Sequence, residues 1–188
     1  MRGGIGSVLG DGNASGQGFG NGGALIGLDR WISSSTRIGV YGGFNYSQLD
    51  TNQLNERGRI NSYDIGLSFS NSGSDYYVLG NVGYTNNAHR VTRVLNFGDF
   101  SGAAGSDYAS HVVSGGVEGG YVYQMGDFTI QPLAGVQYMN MRRNSFIESG
   151  AGPASLDVDG FSSDGLWTSL GSRFSWCSYY RGLTMQTR

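Results

Sequence analysis

His89 and His111 are the only imidazoles in the chain, and serine and aspartate are abundant around them. Residues of these types could run a Ser-His-Asp hydrolysis. That chemistry needs an imidazole within hydrogen-bond reach of a serine, with a carboxylate behind it. The spacing singles out no serine, so no residue is assigned as catalytic. The deciding geometry is whether either histidine lies beside a serine on the same face of a sheet. Asp11, Asn13, Asp157 and Asp159 are oxygen donors of the kind that hold calcium, but their spacing does not fit an EF-hand loop, and no metal is assigned. Gly16, Gly18 and Gly20 superficially resemble a phosphate-cradling loop. The strand-then-helix setting and the lysine of such a loop are missing, which leaves a flexible entry segment and no cofactor. Cys177 is the single cysteine, so neither an internal disulfide nor a zinc site follows from it. The remaining chemistry is charge: Arg37, Asp64, Glu118 and Arg173 sit inside otherwise apolar and glycine-rich runs.

Those runs have a period of two. From Arg37 to Tyr46 one face carries Ile38, Val40, Gly42, Phe44 and Tyr46, and the other Arg37, Gly39, Tyr41, Gly43 and Asn45. This alternation describes a strand with one apolar and one polar face, of a length that suits a tilted crossing of a bilayer core. The pattern returns at Gly23 to Trp31, Ser62 to Ser70, Tyr76 to Thr85, Tyr108 to Tyr123, Phe128 to Met141 and Leu166 to Phe174. Tight turns are expected at Ser33 to Thr36, Asn71 to Asp75 and Met125 to Asp127. Residues 1–22, Gln48 to Ile60 and Asp99 to Asp107 read as loops. His89 to Phe97 reads as a separate strand, and Phe146 to Glu148 and Ser155 to Val158 as short arms. Leu183 to Arg188 opens another strand. Pro132 predicts an irregularity or bulge in its strand, because it removes a ladder donor. Trp31, Tyr46, Tyr63, Tyr76, Tyr84, Tyr121, Tyr123 and Tyr138 gather near strand ends, as in aromatic girdles at a membrane interface.

Composition narrows the class. Glycine numbers 34 against two prolines, without the three-residue period of collagen. In a curved, tilted barrel wall, glycine relieves crowding and keeps the lumen open. Lysine is absent and the net charge is −2, which excludes the basic patch of a nucleic-acid binder. Mean hydropathy is −0.27, and no run of about 18 apolar residues exists for a membrane helix. Barrel strands are half polar by construction, so neither fact opposes a membrane barrel. The first ten residues lack the apolar core of a secretory signal.

The order of these phrases resembles a known family. Gly23 to Arg30 followed by Thr36 to Ser47 is similar to the translocator β-domain of bacterial autotransporters (type V secretion). Gly116 to Tyr121, Thr129 to Tyr138, Phe146 to Gly152 and Ser169 to Phe174 continue the likeness in order, so it covers nearly the whole of residues 1–188. Each phrase is a short glycine–aromatic run, and the specificity lies in their succession. The resemblance implies an all-β, antiparallel, up-and-down transmembrane barrel of twelve strands in the bacterial outer membrane. About nine or ten strands are present here, an incompletely closed barrel whose final strands are missing. It also implies a passenger joined through a linker helix, neither of them in this chain, and recognition by the barrel-assembly machinery. A fragment or a truncated reading frame is the expectation.

Register then follows from cost. An arginine facing lipid at the bilayer midplane costs about 2–4 kcal/mol. Arg37, Tyr41, Asn45, Asp64, Ser68, Asn81, Glu118, Gln131, Gln137 and Arg173 are therefore expected to face the lumen, where they pair with one another or touch the passenger and its linker. Ile38, Val40, Phe44, Ile65, Leu67, Val117 and Val136 are expected to face lipid. The function read from this is export or anchoring of a passenger without bond chemistry. Two other classes stay open: a stand-alone outer-membrane porin or adhesin barrel, and a soluble β-sandwich binding module whose apolar faces bury one another.

Overall fold

The structure, a computed structural model, describes residues 2–8, 17–51, 56–98, 100–180 and 183–187. Nearly all of them are strand. The strands are β1 (Arg2–Val8), β2 (Gln17–Trp31), β3 (Thr36–Thr51), β4 (Glu56–Ser72), β5 (Tyr76–Phe97), β6 (Phe100–Tyr121), β7 (Tyr123–Met125), β8 (Phe128–Arg143), β9 (Phe146–Ile147), β10 (Asp157–Val158), β11 (Phe161–Tyr180) and β12 (Leu183–Thr187). A single 3-10 turn, Gly152–Ala154, is the one helical element among the described residues. None of those residues forms a helix long and apolar enough to cross a membrane, which says nothing of crossing by strands.

One ten-stranded antiparallel sheet follows chain order, β1-β2-β3-β4-β5-β6-β8-β11-β12, with β7 beside β8. Every link is a hairpin to the next wall strand, the up-and-down arrangement expected from sequence. Short turns gather at one end: residues 32–35, 73–75 and 126–127. Gly126 there has φ +64°, a conformation that only a residue without Cβ takes up at low cost. At the other end lies the longest connection, residues 144–160, which carries the small β9–β10 hairpin.

The ladders run further than the alternation predicted. β3 continues to Thr51 and β4 begins at Glu56, so most of the Gln48 to Ile60 loop is strand. Tyr76 to Phe97 is one strand of 22 residues, not two, and β6 starts at Phe100, inside the expected Asp99 to Asp107 loop. Within residues 1–22, Arg2–Val8 is strand, and β2 begins at Gln17. Pro132 lies in β8 opposite a gap. The β6 ladder stops at Gly120–Leu133 and resumes at Tyr123–Ile130 of β7 in unchanged register. The missing N–H breaks the ladder without inserting a residue, so there is no bulge.

The two faces differ in crowding. Along β3, Gly39, Tyr41, Gly43, Asn45 and Ser47 are half-buried, whereas Ile38, Val40, Phe44 and Tyr46 are exposed. On the crowded face the Tyr41 ring spans two neighbouring strands. A Cβ on Gly66 would lie 2.3 Å from its ring, and one on Gly83 would lie 2.7 Å from its hydroxyl. Side chains on this face converge as they do on the inside of a curled sheet, and the other face is splayed open. A soluble sandwich would bury its apolar faces; here Leu28, Ile65, Leu67 and Leu170 are 57–90% exposed.

Candidate functional site

Cross-strand pairs share a face, so the register assigns every position. Arg37 is opposite Ser70, Gly39 opposite Ser68, Tyr41 opposite Gly66 and Gly43 opposite Asp64. Ser68 is opposite Asn81, Leu79 opposite Glu118, Glu118 opposite Gly135, and Gly116 opposite Gln137. Gln131 is opposite Arg173 and Gln137 opposite Trp167. Asn45 follows two residues after Gly43. Arg37, Tyr41, Asn45, Asp64, Ser68, Asn81, Glu118, Gln131, Gln137 and Arg173 thus lie together on the crowded face. Ile38, Val40, Phe44, Ile65, Leu67, Val117 and Val136 lie on the open face, 40–59% exposed.

Arg37, Asp64, Glu118 and Arg173 each take a partner, though none pairs with another of these four. Arg37 pairs with Asp29 at 3.3 Å and stands 5.5 Å over the Trp31 ring. Thr85 Oγ1 donates to Asp64 at 2.5 Å, and the Tyr77 hydroxyl donates to Glu118 at 2.8 Å. Arg173 donates to Gln131 Oε1 at 3.1 Å. Asn45 Nδ2 donates to Ser47 Oγ at 2.9 Å. Arg37, Ser68, Asn81, Glu118 and Gln137 line a groove of about 490 Å³ together with Trp167 and Ser169. The sequence reading missed Asp29, Tyr77, Trp31 and Trp167 on this face. Carrying the same two-residue period into β2 and β11 would have found them. Trp31, expected in a girdle, is turned to the crowded face opposite Arg37.

The other aromatics bound a band on the open face. Tyr76, Tyr121, Tyr123 and Phe128 lie at the short-turn end, with Phe44, Tyr46, Tyr63, Tyr84 and Tyr138 towards the other. Tyr76 to Tyr84 and Phe128 to Tyr138 are separations of eight and ten residues. These correspond to about 26–34 Å along a strand. At a tilt of about 40° the height is about 20–26 Å, that of an outer-membrane apolar band.

Beyond that band, at the long-loop end, the crowded face carries a second cluster. His89, Tyr108 and Phe146 stack in series, at 4.6 Å and 4.4 Å between ring centroids. The Arg143 guanidinium stands 5.4 Å over Phe146 and donates to the Asp159 carbonyl at 2.9 Å. Arg93 donates to Glu148 at 2.5 Å and 3.3 Å. The Leu156 N–H also donates to Glu148, at 3.1 Å. Hydrogen bonding to Arg93 holds the Glu148 carboxyl below its ordinary value. Gly105 and Ser149 exchange backbone hydrogen bonds of 2.8 and 2.9 Å. Residues 144–160 thus form a strap sewn to the distal end of β5–β6, and Ala104 and Ala151 are fully buried there.

This cluster answers the catalytic question. His89 Nε2 lies 2.8 Å from Ser110 Oγ, within the reach a hydrolase pair requires. No described carboxylate hydrogen-bonds His89, Asn87 also donates to Ser110 Oγ at 3.2 Å, and Ser110 is only 3% exposed. Burial, then the nearby Arg143 charge, depresses the His89 pKa. A serine enclosed in this way cannot reach a substrate carbonyl, so the pair braces β5 against β6. His111 is on the open face, 2.8 Å from the Tyr84 hydroxyl and 3.1 Å from the Asn86 amide, with no serine hydrogen bond. Asp157 begins β10, and the Asp159 carbonyl caps Arg143, whereas Asp11 and Asn13 lie outside the described residues. Gly18 and Gly20 are within β2, where no phosphate loop can form, and Gly16 lies outside the described residues.

Comparison with known proteins gives consistent matches. The family model of the autotransporter β-domain matches residues 1–188. An extracellular serine protease of Serratia marcescens is 25% identical over 168 residues, covering 89% of this chain but 16% of that protein. The translocator domain of the autotransporter NalP from Neisseria meningitidis superposes with a TM-score of 0.72 at 14% identity, over 85% of this chain and 55% of that one. The β-domain of the Bordetella autotransporter BrkA gives 0.63 at 22% identity, over 90% and 66%. The chain therefore spans about a sixth of the curated relative and about half of the NalP domain.

Proposed function

This chain belongs to the autotransporter β-domain family, a translocator barrel of the bacterial outer membrane in type V secretion, and on that premise we propose how its two faces divide the work. The crowded face lines a water-filled passage and touches the linker helix and passenger during export. The open face meets outer-membrane lipid. The chain makes and breaks no bonds of the exported protein; it supplies a polar, close-walled conduit and an anchor. The barrel-assembly machinery is the partner that inserts it.

The observation that carries this reading is the register. Ten polar, charged or tyrosine positions from six strands share one face, and seven aliphatic or aromatic positions share the other. Reversing the faces would put Glu118, opposite Leu79, inside the apolar band and turn Asp64, Arg37 and Arg173 to lipid nearer its edges; a lipid-facing arginine costs about 2–4 kcal/mol at midplane and about 0–1 kcal/mol near the interfaces.

Adjacent cysteines in β8 test it. Cys177→Ser variants of the native gene product carrying Val136→Cys or Gln137→Cys would be labelled in outer membranes. Gln137→Cys should react with a charged, membrane-impermeant maleimide, and Val136→Cys only with a lipid-soluble one. The reverse pattern would overturn the assignment. A photo-crosslinker at Gln137 should capture upstream residues of the same polypeptide during export, and a lack of such adducts at every inward position would remove the passenger from the reading.

A further inference from the structure

We propose that the open face of β2–β5 carries a site for one anionic glycerophospholipid of the periplasmic leaflet, with the Arg30 guanidinium on its phosphate and an acyl chain in the groove over Gly80. The inference rests on the reading that this face meets lipid.

Arg30 is opposite Ile38, so it shares the face of Leu28 and Val40. It stands next to the turn at residues 32–35, and short turns mark the periplasmic side of such barrels. A guanidinium there reaches the headgroup level while its stem stays on apolar surface. Arg57 and Arg90, on the same face at the opposite end, are paired with Asp50 at 3.6 Å and Asp107 at 2.7 Å. Arg30 has no hydrogen bond or ion pair with any described residue.

Beside it lies an apolar groove of about 770 Å³, walled by Leu28, Ile38, Val40, Leu67, Phe69 and Val82 with Arg30 at the rim. Gly80 leaves it deep: a Cβ there would meet nothing nearer than 3.7 Å. The groove continues past Leu28 and Val40 into a second one lined by Ile26, Gly42 and Ile65, away from the short-turn end and towards the middle of the apolar band. One unpaired cation at the headgroup level and one apolar trough leading from it into the bilayer match the two ends of a phospholipid. A free phosphate would leave the trough unused. A charge-assisted hydrogen bond to phosphate is among the stronger contacts a guanidinium makes.

The test is retention of phosphatidylglycerol by the native gene product, extracted from outer membranes in mild detergent and weighed intact by native mass spectrometry. Wild type should hold about tenfold more of this lipid than Arg30→Gln, the ratio expected for loss of one such contact. Gly80→Leu fills the trough with the cation intact and should lose the lipid as well. Arg30→Lys should retain an intermediate amount, and Arg142→Gln, an open-face arginine at the other end, should retain all of it. Excess inorganic phosphate should not displace the lipid. Equal retention by wild type and Arg30→Gln would overturn the site, as would displacement by phosphate. A separate arm isolates the underlying reading: Val82→Trp should be quenched by brominated phospholipid. Without quenching, the lipid-facing assignment itself fails. Quenching with unchanged retention in Arg30→Gln would sink the site alone.

Discussion

Glu148→Gln should loosen the strap over β5–β6 by about 2 kcal/mol while leaving the barrel wall intact. The Glu148 side chain is 9% exposed and that of Arg93 is 23% exposed, so the pair lies between two limits. Deleting one partner of a fully buried pair costs about 3–5 kcal/mol, because the other charge is stranded. An exposed pair contributes about 0–1 kcal/mol. Glutamine keeps an acceptor for the Leu156 N–H, so the substitution removes charge and little else. At about 1.4 kcal/mol per factor of ten, a loss of about 2 kcal/mol opens the strap roughly 30-fold more often. Amide hydrogen exchange at Gly105 and Ser149, whose backbones bond each other, reads that opening. Exchange at those two amides should quicken about 30-fold, and amides in β3 and β4 should not change. The double variant Arg93→Gln/Glu148→Gln should cost less than the sum of the single variants, because the second change removes the stranded charge. Exchange within twofold of wild type, or strict additivity, would show that the pair does not hold the strap.

Three further outcomes follow from other contacts. Gly66→Ala should block assembly into the membrane, measured as loss of the heat-modifiable folded band, and adding Tyr41→Ala should restore it only in part. The new Cβ meets the Tyr41 ring at 2.3 Å but also the Val82 carbonyl at 2.6 Å, and backbone cannot swing away. Gly150→Ala should expose the strap to protease at a cost of about 1–2 kcal/mol or more, since its φ is +98° and a Cβ would lie 2.6 Å from the Ala103 carbonyl. The strap should also loosen in acid in two steps. His89 lies beyond the apolar band, and its pKa is depressed by burial and Arg143. Its share of stability is therefore whole above its ordinary value of 6.5 and declines as pH falls below it. Glu148 is depressed from 4.5 by Arg93, so its share is lost only as pH falls from about 4.5 through that lowered value. Protease protection of residues 150–160 against pH should show both steps, and His89→Gln should remove the upper one.

The parts of the fold legible in sequence were those where the two faces differ in polarity. Between the girdles, Ile38, Val40 and Phe44 alternate with Gly39, Tyr41 and Gly43, and which residues share a face followed directly. Beyond the girdles polar and charged residues stand on both faces, Glu56 on one and Arg57 on the other, so the alternation fades while the ladder continues. Gln48 to Thr51, Glu56 to Ile60 and Phe100 to Asp107 read as loops for this reason, and His89 to Phe97 as a strand apart, although each residue there has a cross-strand partner in a hairpin. The strap was legible only as two short arms. Its attachment depends on Arg93 meeting Glu148 across 55 residues of chain, and no local pattern encodes a partner at that separation. The His89–Ser110 contact shows the same limit from the other side. Two residue types able to do chemistry do meet at 2.8 Å, and what removes the chemistry is the burial of the serine, a property the sequence does not display.

Glycine has opposite effects on the two faces, and composition alone conceals this. Read from sequence, glycines on the polar side of the strands would keep a lumen open. On the crowded face Gly66 and Gly83 instead make room for Tyr41, whose ring crosses from β3 over β4 to β5 and fills the space their side chains would have occupied. One aromatic is thus laid across three strands of the wall. On the open face Gly42 and Gly80 meet nothing nearer than 3.6 Å and 3.7 Å, so the same absence of Cβ leaves troughs between the exposed aliphatic side chains. A glycine therefore closes the surface where a neighbouring ring can reach it and opens the surface where none can. Which of these occurs at a given position is decided by the cross-strand partner: Tyr41, opposite Gly66, lies over it, whereas Phe69, opposite Gly80, keeps its ring 3.9 Å from where a Cβ would stand.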